Sequence, residues 1–181
     1  KPLTGVQGLD EEIYPERFLS DKRALDGQGN WLSSQTRVEL AVLTSLGQQS
    51  LVGLTWGGVK RLNVLVRRTR QDATRGIHLP AIPKGRRMLV SMADASHANA
   101  AGMGTQAGNL VLLMDAAFLE GKEARWGPVF WRSYRLKRVV PSTLAAEAMA
   151  MCDALSASDM VELSNGCICC TLREDLLTGV A

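Results

Sequence analysis

Three cysteines lie within four residues, where Cys167, Cys169 and Cys170 form a Cys-x-Cys-Cys pattern. Thiolates favour zinc and other soft metal ions, and a structural zinc ion takes four ligands. Three cysteines this close share one ion only through a tight turn, which Gly166 directly before them would ease. The alternative is a structural junction in which these small side chains are buried. The fourth ligand stays open among Cys152, His97, His78, a water molecule and a partner protein.

Two carboxylates extend patterns of residues that otherwise pack. Asp94 continues the alternating face of Met88, Val90 and Met92 in a predicted strand. Glu147 lies in a helical stripe whose other members are apolar, namely Leu144, Met151 and Leu155. A carboxylate that faces a core is costly unless a cation or metal compensates it, so the pair is a candidate Mg²⁺ site. The alternative is that both carboxylates reach water at the ends of their elements.

The charge of the chain is unevenly distributed, although the net charge is only +3 over 181 residues. Between Lys60 and Arg87 nine basic residues occur against a single acid, Asp72, whereas the start of the chain is acidic. A basic block of this kind can attract phosphate backbones, and its alternative is a solvated helix face with the loop that follows it. The candidate nucleic-acid contacts are Lys60, Arg61, Arg67, Arg68, Arg86 and Arg87.

The elements that would position these residues follow from hydrophobic periodicity. Apolar spacing predicts helices over 36–47 and 55–70, the second capped by Thr55, which together form an α-helical hairpin. Short apolar runs with glycine-bearing links predict three antiparallel strands, at Met88–Ala93, Asn109–Met114 and Val129–Tyr134. Ser142 begins a helix to about Ser156, followed by a short strand at 160–163 and a helix from Thr171 to Leu177.

The fold class predicted from these elements is α/β. It consists of an α-helical hairpin followed by a truncated antiparallel sheet with a packed helix. The first thirty residues are polar and contain proline and glycine, which predicts poor order.

From about residue 31 to residue 155 the chain resembles the C-terminal part of a copia-type retrotransposon Pol polyprotein. The resembling pieces occur in family order, at 35–40, 59–65, 93–98, 130–133 and 142–150. The resemblance implies a ribonuclease H-like fold that cuts the RNA strand of an RNA–DNA hybrid with Mg²⁺. It makes Asp94 and Glu147 the first two metal ligands. The chain has no counterpart of the family's third and fourth carboxylates, so the catalytic set is incomplete.

Residues 161–177, around the three cysteines, resemble the signature of CobW-type proteins. These proteins are P-loop GTPases that act as metal chaperones, and the resemblance implies Zn²⁺ bound by Cys167, Cys169 and Cys170. The printed sequence contains no Gly-x-x-x-x-Gly-Lys-[Ser/Thr] loop. We therefore expect neither GTP binding nor GTPase activity from it.

These observations give one main functional hypothesis and one alternative. The main hypothesis is a retroelement-derived, ribonuclease H-like fragment that binds RNA–DNA hybrids and is catalytically incomplete, and that would be a hydrolase if active. The alternative is a fragment of a CobW-type zinc metallochaperone, and a composite of the two would explain why both signatures are partial. The predicted segments are 1–30, poorly ordered; 31–79, helical and connection-like; 86–158, partial ribonuclease H-like; and 159–181, CobW-like.

The cellular compartment of the chain is predicted from features that its sequence lacks. No stretch approaches the length of a membrane span, and no signal peptide opens the sequence. The clustered cysteines are not a disulfide framework, which indicates a reducing compartment. We therefore expect an intracellular protein, cytoplasmic or nuclear, without a membrane partner. The first residue is Lys1 rather than Met, which we interpret as a fragment or a processed product.

Overall fold

The computed structural model describes residues 19–49, 55–100 and 103–165. These residues divide into two compact units, one of helices up to Ile77 together with Arg132–Arg135, and one from His78 onward that is built on a sheet. The predicted α/β class, with a three-stranded antiparallel sheet and a packed helix, is confirmed.

The described residues of the helical unit form three α-helices rather than the predicted pair: α1 (Leu19–Gln35), α2 (Ala41–Gln49) and α3 (Trp56–Gln71). Its core is formed by the fully buried Leu40, Leu62 and Leu65, and the side chains of Leu25 and Leu43 pack against them. Gly29 allows α1 to approach this core, because a Cβ atom at that position would lie 2.8 Å from Leu65 Cδ2. The predicted helices at 36–47 and 55–70 are both present.

Helix α1 overlaps residues 19–30, so the prediction of poor order is wrong there. Its buried positions follow helical spacing but are polar or small: Lys22, Asp26, Gly29 and Ser33. The Lys22 ammonium group donates to the Asp26 carboxylate and, at 3.0 Å, to the backbone carbonyl of Gly47 in α2. The buried ion pair therefore lies within α1, and the hydrogen bond from Lys22 to the Gly47 carbonyl joins α1 to α2.

The sheet consists of β1 (Arg87–Ala100), β2 (Gly104–Asp115) and β3 (Trp126–Arg135), in the order β1-β2-β3, and all of it except Arg132–Arg135 belongs to the second unit. The β1–β2 pair is antiparallel, with a regular register from Arg87 opposite Asp115 to Ser96 opposite Gln106. The strands occur where the apolar runs predict them and extend further in both directions. Asp115 ends β2 by accepting the Ala117 N–H at 3.0 Å, which starts a short 3-10 turn over Ala116–Glu120.

Helix α4 (Thr143–Asn165) begins as predicted and continues nine residues beyond Ser156. The Ser142 hydroxyl caps it by accepting the Ala145 N–H at 3.2 Å. The predicted strand at 160–163 is wrong, because these residues form the last turns of the helix, where Val161 is buried. The helix predicted from Thr171 to Leu177 lies outside the described residues. Among the described residues, no helix has the length and apolar character required to cross a membrane.

Candidate functional site

The face of the sheet that α4 covers is identified by a direct contact between two hydroxyl groups. Ser91 Oγ on β1 and Ser158 Oγ on α4 form a hydrogen bond. Side chains alternate along a regular strand, so Ala95 lies on the same face as Ser91. Ala107 and Val111 of β2, the partners of Ala95 and Ser91, share this face, and all three apolar side chains are buried.

The same alternation places Asp94 on the opposite face of β1. The register is unbroken between Ser91 and Asp94, and Asp94 pairs with Gly108. Its side chain is exposed to solvent, and the neighbouring Met92 on that face is exposed as well. The expectation that Asp94 extends a packed apolar face is therefore wrong at this end of the strand.

The packed stripe of α4 is displaced from the predicted one. Leu144, Met151 and Leu155 are 79%, 60% and 57% exposed, so the predicted apolar stripe faces solvent. Between Thr143 and Val161 the buried side chains of α4 lie at helical spacing and are almost all alanine: Ala146, Ala150, Ala154, Ala157 and Val161. Small side chains allow a helix to lie close to a sheet, whereas leucine at the same positions would hold it away.

Glu147 flanks this alanine stripe and is half-buried on the helix side of the sheet. Asp94 projects from the other side, so the structure does not bring the two carboxylates together. Among the described residues, no group of three or more histidine, cysteine, aspartate or glutamate side chains could hold a metal ion. Which side of the sheet each carboxylate occupies depends on how α4 packs, and the local pattern does not contain that information.

The three cysteines of the Cys-x-Cys-Cys motif lie outside the described residues, and the described chain ends two residues before Cys167. Cys152 lies on α4 with an exposed side chain and a free thiol. From Cys152 to Asn165 the helix advances by thirteen residues and rises about 20 Å, and two further residues span at most about 7 Å.

At least about 12 Å therefore separates the Cα atoms of Cys152 and Cys167. Two cysteine side chains with Zn–S bonds of about 2.3 Å do not bridge that separation. The length of α4 therefore argues against Cys152 as the fourth ligand of an ion that Cys167 also binds.

The two histidines differ in how they are held. His97 on β1 is half-buried, and its Nε2 lies 2.9 Å from the backbone oxygen of Val140. Because a carbonyl oxygen only accepts, Nε2 is the donor in this bond, and in the neutral ring Nδ1 then holds the lone pair that a metal would need. His78 is exposed at the start of the sheet unit.

The six basic residues predicted to contact nucleic acid fall into two groups. Lys60, Arg61, Arg67 and Arg68 are exposed on α3. Arg86 instead donates Nε–H to Asp115 Oδ1 at 2.9 Å, and Arg87 donates to the backbone oxygen of Ile82 at 2.8 Å. These last two cations are therefore engaged within the sheet unit.

The contacts of Asp115 shift the ionisation of both partners in its ion pair. The hydrogen bond from the Ala117 N–H, and then the one from Arg86, hold the pKa of the Asp115 carboxyl below its usual range. The same hydrogen bond to Asp115 raises the pKa of Arg86. The Arg86–Asp115 pair therefore stabilises the turn after β2 in its charged form.

Comparison with known proteins gives one partial match. Residues 142–181 match the family model described as CobW/HypB/UreG, nucleotide-binding domain. These 40 of 181 residues include α4 and the Cys-x-Cys-Cys motif, so the match begins before the predicted boundary at residue 159 and does not include residues 31–141. Searches of curated proteins and of solved structures found no match to this chain.

Proposed function

We propose that this chain binds zinc through Cys167, Cys169 and Cys170, as part of a metal-handling protein of the CobW type. The observation that carries the proposal is the family match over residues 142–181, which contains all three cysteines. The chemistry of the donors supports it as well, because clustered thiolates favour zinc over hard ions such as Mg²⁺.

The proposal concerns metal binding and not nucleotide hydrolysis. The matched family is described by its nucleotide-binding domain, yet the printed sequence carries no phosphate-binding Gly-x-x-x-x-Gly-Lys-[Ser/Thr] loop. Zinc bound here would hold three deprotonated thiols, so its binding would release protons and weaken as the pH falls. Zinc binding by thiolates requires no bound nucleotide. Metal binding is therefore the part of the family's activity that this chain's own residues support.

The fourth position of the ion has a restricted set of donors. The length of α4 argues against Cys152, since the helix carries the chain about 20 Å beyond it before the three cysteines. Nδ1 of His97, the exposed His78, a water molecule and a partner protein are the remaining candidates. A position filled by water or by a partner would suit an ion that is passed on, since an open coordination site allows a new ligand to enter.

The match favours this proposal over the ribonuclease H-like hypothesis. The family comparison supports the CobW-type part of the sequence resemblance and gives no support to the retrotransposon part. The opposite positions of Asp94 and Glu147 on the sheet weigh in the same direction. A two-metal centre requires carboxylates that converge on one point.

The test is an equilibrium titration of the full chain with Zn²⁺ in competition with a chromophoric chelator. We expect one equivalent bound by the unaltered chain, and loss of that binding when Cys167, Cys169 and Cys170 are all replaced with serine. Cys152→Ser is the matched control, because it removes a thiol from the same region and should leave the affinity within about twofold. Unchanged zinc binding by the triple variant would refute the proposal.

A further inference from the structure

One face of α3 carries a compact set of exposed cations. Lys60 and Arg67 lie two turns apart on this face, and so do Arg61 and Arg68. The opposite face holds Val59, Leu62 and Leu65 in the core of the helical unit. No acidic residue occurs between Trp56 and Gln71. The helix therefore presents a cationic face about 12 Å long, from Lys60 to Arg68.

The arginines of this face do not hold the fold together. Within the described part of the chain, no hydrogen bond or ion pair joins the side chain of Arg61, Arg67 or Arg68 to another residue. Other cations of the protein show the contrast: Lys22 is buried against Asp26, and Arg86 pairs with Asp115. Several like charges on one helix face repel one another at a small cost in stability. An anionic partner would offset that repulsion.

The shape and density of the face indicate which anion fits. One strand of duplex DNA carries a phosphate per about 3.4 Å of the helix axis, so a row of four cations about 12 Å long spans about three or four phosphates of a strand. A lipid bilayer fits less well, because a helix that enters a membrane surface needs a free apolar face and the apolar face of α3 is packed in the core. A rigid row of cations on a helix matches a rigid row of phosphates.

We infer that the exposed face of α3, formed by Lys60, Arg61, Arg67 and Arg68, binds the phosphate backbone of double-stranded nucleic acid without reading its base sequence. This surface is separate from the zinc ligands and does not depend on the proposed zinc binding. Of the six nucleic-acid contacts predicted from the sequence, four remain in this surface, because Arg86 and Arg87 are engaged in other hydrogen bonds. Contacts to phosphates position a protein on a duplex and carry no direct sequence information.

The test is fluorescence anisotropy of labelled DNA duplexes of two unrelated sequences, titrated with the full chain at several salt concentrations. Each neutralised phosphate contributes about −0.9 to the slope of log K against log salt, so four cations predict a slope of about −3.6. The two duplexes should bind equally. In the variant Arg61→Gln/Arg68→Gln the slope should fall in magnitude by about 1.8.

Two further variants separate loss of charge from loss of fold. Arg23→Gln removes an exposed cation from α1 of the same unit and should leave the slope unchanged. Arg61→Lys/Arg68→Lys keeps the charges and should keep the slope. An unchanged slope in the double glutamine variant would overturn the inference. Tighter binding to phosphatidylserine vesicles than to the duplexes, at matched salt, would overturn it too.

Discussion

Ser91 on β1 and Ser158 on α4 are joined by a hydrogen bond between their hydroxyl groups. This contact identifies the face of the sheet that the helix covers, and alternation along β1 then places Asp94 on the other face. Glu147 stays on the helix side. The sheet thus separates the two carboxylates that the resemblance to a retrotransposon ribonuclease H would place in one metal site.

The alanine stripe of α4 gives the first prediction. Ala150 is fully buried against the sheet, so Ala150→Leu should destabilise the protein by about 1–3 kcal/mol through overpacking. Leu155→Ala should change the free energy of unfolding by less than about 0.5 kcal/mol, because Leu155 faces solvent. Urea denaturation followed by circular dichroism measures both changes.

Ala148→Leu is the matched control for that experiment, since Ala148 is exposed and lies two residues, about 200° around the helix, from the buried Ala150. It adds the same atoms at the surface and should have little effect. If Leu155→Ala were more destabilising than Ala150→Leu, α4 would pack through the stripe that the sequence predicts. That result would contradict the packing through the alanines.

The separation of Asp94 and Glu147 predicts that they are energetically independent. In a double-mutant cycle with Asp94→Asn and Glu147→Gln, the effects on stability should add to within about 0.5 kcal/mol, because the side chains lie on opposite sides of a sheet. Adding Mg²⁺ should not change that result. A coupling energy above about 1 kcal/mol that appears only with Mg²⁺ would mean that both carboxylates hold one ion.

The buried pair of Lys22 and Asp26 predicts a strong asymmetry between single and double substitutions. Lys22→Met should destabilise the helical unit by about 3–5 kcal/mol, because it leaves an uncompensated carboxylate in the interior. Lys22→Met/Asp26→Leu should recover most of that loss, as an apolar pair needs no compensation. Chemical denaturation of the three proteins checks this.

The exposed pair of Lys122 and Glu120 supplies the comparison for that prediction. Lys122→Met should cost less than about 1 kcal/mol, since surface ion pairs contribute little. If Lys22→Met proved equally mild, Lys22 would not be compensating a buried carboxylate charge at Asp26.

The lowered pKa of Asp115 predicts a dependence of stability on pH. A carboxyl whose pKa is lower in the folded than in the unfolded state stabilises the protein at pH values above its unfolded-state pKa, which is about 3.9 for aspartate. This contribution disappears as the pH falls through the lower folded value. Asp115→Asn should therefore be less stable than the unaltered chain at pH 7, and the difference should narrow below about pH 4.

Stability measured by urea denaturation from pH 7 to pH 2.5 tests that expectation. Glu120→Gln is a suitable control, because its carboxylate lies exposed at the end of the same turn. A difference between the unaltered chain and Asp115→Asn that stays constant down to the lowest pH would contradict the role given to the Asp115 charge.

The elements with local signals could be predicted from the sequence, whereas α1 could not. The strands follow apolar runs between glycines, and Thr55 caps α3 by accepting the Gly58 N–H at 3.4 Å. Helix α1 lacks such a signal, since its buried positions include Lys22 and Asp26, which periodicity of apolar residues does not detect.

The candidate site was predictable only in part, for a physical reason. Leucine and methionine outweigh alanine in any apolar pattern, so the pattern selects Leu144, Met151 and Leu155 and misses the alanines that permit close packing. The face on which Asp94 lies is a consequence of tertiary packing. The cysteine motif, by contrast, is local in sequence, and its resemblance to CobW-type proteins agrees with the family match.

The most direct test of the central claim is the absorption spectrum of the full chain with Co²⁺ added in place of zinc. Thiolate ligands give Co²⁺ intense charge-transfer absorption that oxygen ligands do not give. We predict that this absorption appears in the unaltered chain and in Cys152→Ser, and disappears when Cys167, Cys169 and Cys170 are replaced with serine. Absorption that survives the triple replacement, or that never appears in the unaltered chain, would contradict metal binding by this motif.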